Sequence, residues 1–333
     1  MKANSQSYSQ LAPKKKDSWK KLPVVHFVIS NSGILIALIG LILFFALTTS
    51  TFMTTSNILN VLRQISINAI IAFGMTFTIL ITGIDLSVGS ILAASQVITI
   101  GLLFMGVPIV PALAGGILIG GVLGLINGFV ITKGKIPPFI VTLSMMIMAR
   151  GFSYVLTGGR PMSFNNEILS FIGNGYIGPI PVPVIIMVIC LIITSFVLNK
   201  TKFGRHVYAV GGNREAARFS GIRISKIEMM VYTISGLLAG LSGVILAARM
   251  SSAQPTSGSG FELDAIAAVV LGGTSFSGGI GKIGGVFIGA LIIGVLNNGL
   301  NLLHVSSYWQ MIIKGLVIVT AVYVDSLKKK KRT

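Results

Sequence analysis

Gly204-Arg205-His206-Val207-Tyr208-Ala209-Val210-Gly211-Gly212-Asn213-Arg214-Glu215-Ala216-Ala217-Arg218-Phe219-Ser220-Gly221-Ile222 is the one long polar interruption in an otherwise apolar chain. Apolar runs press in on both sides. The segment therefore reads as a connector held outside a lipid bilayer between two spans, where a soluble partner has best access. That reading makes the whole chain a membrane protein, and composition agrees: of 333 residues, 53% are hydrophobic and only 10% charged. A soluble domain of this make-up lacks the polar residues to cover its surface.

The formal charge of +18 is concentrated in a few places. Twenty of the 26 Lys and Arg fall within residues 2–21, 133–135, 200–226 and 328–332. Clusters just outside apolar spans follow the positive-inside rule, whereas a nucleic-acid surface spreads its bases over a folded face with aromatics between them. The charge sets topology, and nucleic acid is excluded as a partner. The single Cys190 stands inside an apolar run, has no internal disulfide partner, and reads as a small core residue.

Apolar runs fall at 34–49, 65–83, 88–106, 108–131, 138–157, 180–198, 229–248, 263–280, 283–303 and 309–325, most of them near the ~20 residues that cross a bilayer. The first run lacks a small-residue cleavage site and reads as a retained span, not a signal peptide. These runs predict an all-α polytopic bundle of about ten spans, with one transmembrane domain over 31–326 and basic cytoplasmic tails at 1–30 and 327–333. Both tails are basic and belong on one side, which requires an even count. With the N-terminus inside, Lys133, Lys135, Lys282 and the 200–228 loop also fall inside, and base-poor connectors at 53–64, 158–179 and 249–262 fall outside. Spans three and eight are short and Gly-rich, so each reads either as a full crossing or as a broken or re-entrant segment.

Gly116, Gly120, Gly124 and Gly128 recur every four residues, and Gly281, Gly285 and Gly289 repeat the spacing. This pattern lets helix backbones approach closely. An internal echo links 81–98 with 271–288, where an apolar run ends in a Gly/Ser turn and resumes, as in transporters built from repeats.

Gly279-Ile280-Gly281-Lys282-Ile283-Gly284 matches the dinucleotide fingerprint, but no carboxylate lies between Asp264 and Asp325 and no βαβ unit surrounds it. A phosphate loop fails too, because Phe276 stands at the first Gly position and Ile283 follows Lys282. Nucleophile–base pairs, metal-spaced His/Cys clusters and paired carboxylates are missing, so the chain reads as a non-enzyme that binds no cofactor or metal itself. Among only eight acids, Asp85 alone reads as lying between apolar runs without aqueous flanks. It serves either as an N-cap for span three, accepting from Ser87 or Val88 N–H, or as a substrate or coupling group. Neutral polar residues are richer. Asn297, Asn298, Asn301 and His304 share one helical face, as do Asn68, Met75, Thr78 and Thr82. Such groups either bind neighbouring helices or line a wet passage, for which a polyol is a suitable solute. The candidate pathway set is therefore Asn68, Thr82, Asp85, Asn297, Asn298 and Asn301. Within the long connector, residues 214–222 suit a short helix with Gly221 as its stop.

Glu215-Ala216-Ala217 followed by Gly221 resembles the EAA loop of bacterial ABC importer permeases, and Val231 and Thr233-Ile234 depart from that family's downstream Ile-x-Leu-Pro. Three further stretches resemble the sugar-uptake branch of these importers, related to the ribose, xylose and galactoside permeases and nearest the ribose ones. They are Gly74-Met75-Thr76 through Ser90, Ser251-Ser252-Ala253-Gln254-Pro255 through Thr274, and Asn297-Asn298-Gly299-Leu300-Asn301-Leu302 to Gln310. The resemblance covers roughly 55–325. It implies a multi-pass subunit of the bacterial cytoplasmic (inner) membrane, in contact with lipid, that translocates a monosaccharide delivered by an extracytoplasmic sugar-binding protein. It also implies a second permease copy, the same or similar, and a cytoplasmic ATP-binding subunit that uses the ATP. Glu215, Ala216, Ala217 and Gly221 would be the coupling residues. The competing reading is a self-sufficient ion-coupled secondary carrier or channel for a small polar solute.

Overall fold

A computed structural model describes residues 32–330. The N-terminal tail expected over 1–30 and the last three residues lie outside the described residues. Six helices are long and apolar enough to cross a membrane: α2 (Thr55–Leu80), α4 (Ile109–Gly134), α5 (Pro138–Thr157), α7 (Val182–Lys200), α10 (Ile224–Met250) and α12 (Ile283–Leu302). Two shorter apolar helices join them, α1 (Ser32–Thr48) and α3 (Val88–Phe104). The remaining helices are α6 (Glu167–Asn174), α8 (Lys202–Gly212), α9 (Arg214–Phe219), α11 (Phe261–Leu271) and α13 (Ser307–Lys330). Two-residue strand pairs, Met162–Ser163 with Ser252–Ala253 and Tyr176–Ile177 with Ile180–Pro181, pin the 158–182 connector. The chain is thus a polytopic helical bundle.

At its centre stands α2, buried on every side from Ile65 to Leu80. A helix apolar all round belongs in the middle of a large core, and α10, α12, α11 and α7 surround it. The α4 glycine row faces α10, as its spacing predicts. A Cβ on Gly120 would lie 2.4 Å from the Gly236 carbonyl oxygen, and one on Gly124 would lie 2.2 Å from that of Tyr232. These are backbone atoms that cannot swing aside, so Gly124→Leu is expected to destabilise the bundle by about 3 kcal/mol or more, read as a lower unfolding temperature in detergent. A Gly124→Leu protein that melts with the parent would remove this account of the seam.

Several sequence expectations change. Helix α2 starts about three turns before the apolar run at 65, with Thr54 as N-cap accepting from the Asn57 N–H. Most of the connector expected at 53–64 is therefore helix. Its polar residues Asn57, Asn60 and Arg63 take partners on neighbouring chain segments or on the same helix. Span eight is only the 11-residue α11, about 16 Å long, followed by the irregular stretch 272–282; it is the broken alternative. Span three is one uninterrupted 17-residue helix. The triplet Gly281, Gly285 and Gly289 is not one stripe, because α12 begins at Ile283. Gly289 packs on the Ala268 carbonyl, whereas Gly281 abuts Thr274. In the echo, both copies are helix, turn, helix, and the two turns touch: Gly279 N–H donates to Leu80 O at 2.9 Å. Gly279 and Gly281 of the dinucleotide-like motif are thus taken up by close packing.

Candidate functional site

The connector expected over 200–228 is not a loop but two helices, α8 and α9, separated by Asn213. Asn213 Oδ1 accepts from Ala216 N–H at 2.9 Å and starts α9. Gly221 ends it with φ +80°, a conformation glycine adopts without a Cβ clash. Its N–H donates to Arg218 O at 3.0 Å, and Ile222 N–H donates to Ala217 O at 3.1 Å. This is the reciprocal pair of a Schellman stop. Of the four predicted coupling residues, Glu215, Ala216 and Gly221 are exposed and Ala217 is buried as the anchor. Beside them Phe219 is 82% exposed, with the Arg218 guanidinium 5.7 Å from its ring centroid. A large aromatic held outward on a braced polar helix marks a contact surface.

Two restraints fix α9. Arg214 makes a bidentate ion pair with Glu228 near the start of α10, and Glu228 is buried. Helix α8 wedges into the bundle. Phe203 stacks on Phe77 with centroids 6.2 Å apart, and the Tyr208 hydroxyl donates to Gly281 O at 2.8 Å. Burial raises the Tyr208 pKa, which keeps that proton in place. At its end, Gly211 lies so close to Leu80 O and Gly279 N that a Cβ there would overlap both. Helix α9 is therefore connected through α8 to the end of α2 and the turn before α12. Sequence reasoning missed this brace because Val207, Val210 and Gly211 are too few apolar residues to register as a buried face.

The six candidate pathway residues are dispersed. Asp85 is fully buried and caps the turn before α3: its Oδ1 accepts from Ser87 N–H at 3.1 Å, and its Oδ2 from the Ser235 hydroxyl at 2.8 Å. Asn127 extends the cluster to Ser87 Oγ. Thr82 lies beyond the end of α2 with φ +64°, so it does not share the face of Asn68. Asn68 is buried with its Oδ1 unpaired. Asn297 donates to Asp264 at 3.2 Å, Asn298 exchanges two hydrogen bonds with Asn57, and Asn301 accepts from Gln310 at 2.8 Å. Among the described residues no hydrogen bond joins any two of the six. The amide row hydrogen-bonds to three different segments. His304, also placed on that face, lies past the helix end with φ +55°.

Among the described residues Asp85 is not the only buried acid. Asp264, 4% exposed in the first turn of α11, pairs with Lys314 of α13 at 3.0 Å. The sequence hid this pair because 50 residues separate its members and Asp264 borders a polar connector.

A family model described as "Branched-chain amino acid transport system / permease component" matches residues 57–322. The ribose import permease protein RbsC of Bacillus subtilis (strain 168) is 51% identical over 308 residues, 91% of this chain and 96% of that protein. RbsC of Escherichia coli (strain K12) is 48% identical over 299 residues, 89% and 93% of the two chains. The D-allose transport system permease protein AlsC of the same strain is 43% identical over 300 residues, 90% of each. No solved structure matches the chain. A helical membrane bundle with a braced helix exposed at its edge agrees with these matches, and the chain belongs to the family of branched-chain amino acid transport system permease components.

Proposed function

We propose that the chain is the membrane-spanning permease of an ATP-driven importer in the bacterial cytoplasmic membrane, carrying a monosaccharide with ribose first. The observation that carries this reading is α9, a short helix with exposed Glu215, Ala216 and Phe219 wired through α8 into the core. Such a lever has a use only if a soluble partner moves it. The partner is an ATP-binding subunit that uses the ATP. The relatives at 43–51% identity are named for ribose and allose, which favours a sugar over the amino acids in the family description. An extracytoplasmic sugar-binding protein delivers the solute, and a second permease copy completes the path.

Ten crossings with both termini inside follow from the charge distribution, with α11 and the stretch 272–282 together making the eighth. Tyr308 and Trp309, 81% and 63% exposed at the start of α13, suit the outer headgroup belt. The test is reconstitution with the ATP-binding subunit and binding protein, reading uptake and ATP hydrolysis for a panel of sugars. Ribose should stimulate both most strongly. Uptake that persists without the ATP-binding subunit would establish the secondary carrier instead.

A further inference from the structure

A pocket of about 440 Å³ opens between α3, α5 and the start of α11, lined by Ser90, Met146, Ile147, Arg150, Ser259 and Glu262. It contains none of the six candidate pathway residues. Its volume lies within the ~300–1,000 Å³ range of small-molecule sites. Arg150 is the thirteenth residue of α5, about 18 Å along it from the end that follows Lys135. Glu262 closes the connector assigned to the outside, so the pocket lies in the outer half of the bundle, where a delivered solute arrives.

Its polar groups are held in place. Arg150 donates to Pro255 O at 2.5 Å and Ser257 O at 2.6 Å, which fixes the guanidinium and leaves its other N–H groups unused. Glu262 Oε1 accepts from Gly260 N–H at 3.1 Å. Its Oε2 packs where Gly89 lacks a side chain; a Cβ there would lie 2.4 Å away. Among the described residues no direct ion pair joins Arg150 to Glu262. The Ser90 hydroxyl is buried, with the residue 1% exposed, and among the described residues it has no hydrogen-bond partner.

A guanidinium and a carboxylate at this depth are too costly to face hydrocarbon, and a buried hydroxyl left unpaired is a standing cost that a ligand relieves. Opposite charges in one small pocket disfavour an ionic ligand of either sign. Together they suit a neutral polyol, whose hydroxyls donate to Glu262 and accept from Arg150 and Ser90. Met146 and Ile147 supply an apolar wall for the ring's C–H face.

Resting on the importer reading above, we propose that Arg150, Glu262 and Ser90 form a low-affinity subsite of this permease for a neutral monosaccharide. The test is saturation-transfer NMR on the permease with its ATP-binding subunit in nanodiscs, without binding protein. The probes are D-ribose, gluconate and glucosamine. Ribose should give a signal at least fivefold above either charged probe, and Glu262→Gln and Ser90→Ala should each lower it at least fivefold while the complex elutes unchanged. Equal signals from the three probes, no ribose signal from the parent, or full signals in both variants would overturn the subsite. ATP-dependence of uptake is a separate measurement: sugar binding in a chain that transports without ATP would sink the importer reading and leave the pocket standing.

Discussion

Lys314→Met is expected to destabilise the permease by about 3–5 kcal/mol, the cost of leaving one member of a buried ion pair unpartnered. Lys314 Nζ lies 3.0 Å from Asp264 Oδ1 and 3.1 Å from Oδ2. With the ammonium gone, Asp264 keeps one side-chain donor, Asn297 at 3.2 Å, and the field of the α11 N-terminus, worth at most about 2 kcal/mol. Neither replaces a full positive charge in a site where the carboxylate side chain is 5% exposed. The double variant Asp264→Asn/Lys314→Met removes the charge as well as its partner and should recover most of the loss, since paired removal is often near neutral. Thermal unfolding of purified parent, single and double variants in one detergent checks this. If the single variant melts with the parent, the pair contributes nothing to the attachment of α13.

The second large effect is functional. Gly221→Val should lower ATP-driven uptake by about 5- to 150-fold, the usual range of a coupling free energy, while the protein inserts at normal levels and its ATP-binding partner still hydrolyses ATP. Gly221 holds φ +80°, where an L-residue costs roughly 1–2 kcal/mol and a β-branched one more. The cheapest relief is to open the last turn of α9, which releases the Ile222 to Ala217 hydrogen bond and lets Phe219 turn away. A lever transmits only if its contacts differ between two states, and a frayed helix makes neither set. Gly221→Asn, which tolerates the left-handed region, should retain most of the uptake. Normal uptake by Gly221→Val at normal abundance would falsify the lever. Arg214, Glu228 and Gly211 define its fulcrum and are the next positions to probe by the same assay.

Much of α9 was legible from the sequence. Its start and its Gly221 stop follow from local rules, because capping and chirality act within a few residues. The same holds for the α4 glycine row, whose period of four lets helix backbones approach closely. The candidate pathway was not legible. Asn297, Asn298 and Asn301 share a face by spacing, but spacing does not say which neighbour each amide meets. The structure divides them among Asp264, Asn57 and Gln310. Thr82 was misplaced because α2 ends at Leu80, and the left-handed turn that follows carries no signature in a Thr-Gly pair.

By itself the sequence determined that this chain is a multi-span helical membrane protein, set an expectation for the side on which its basic clusters stand, and located a short helix in its longest polar connector. Those properties depend on hydrophobic run length, charge position and caps, all read over a few turns of chain. Only the tertiary structure decided that Asp264 is neutralised by Lys314, that α8 braces α9 against Leu80 and Gly279, and that Ser90, Arg150 and Glu262 meet at one pocket. These are pairings across as many as 172 residues, from Ser90 to Glu262. They arise because close-packed helices leave each buried polar group only the partners that geometry brings within reach.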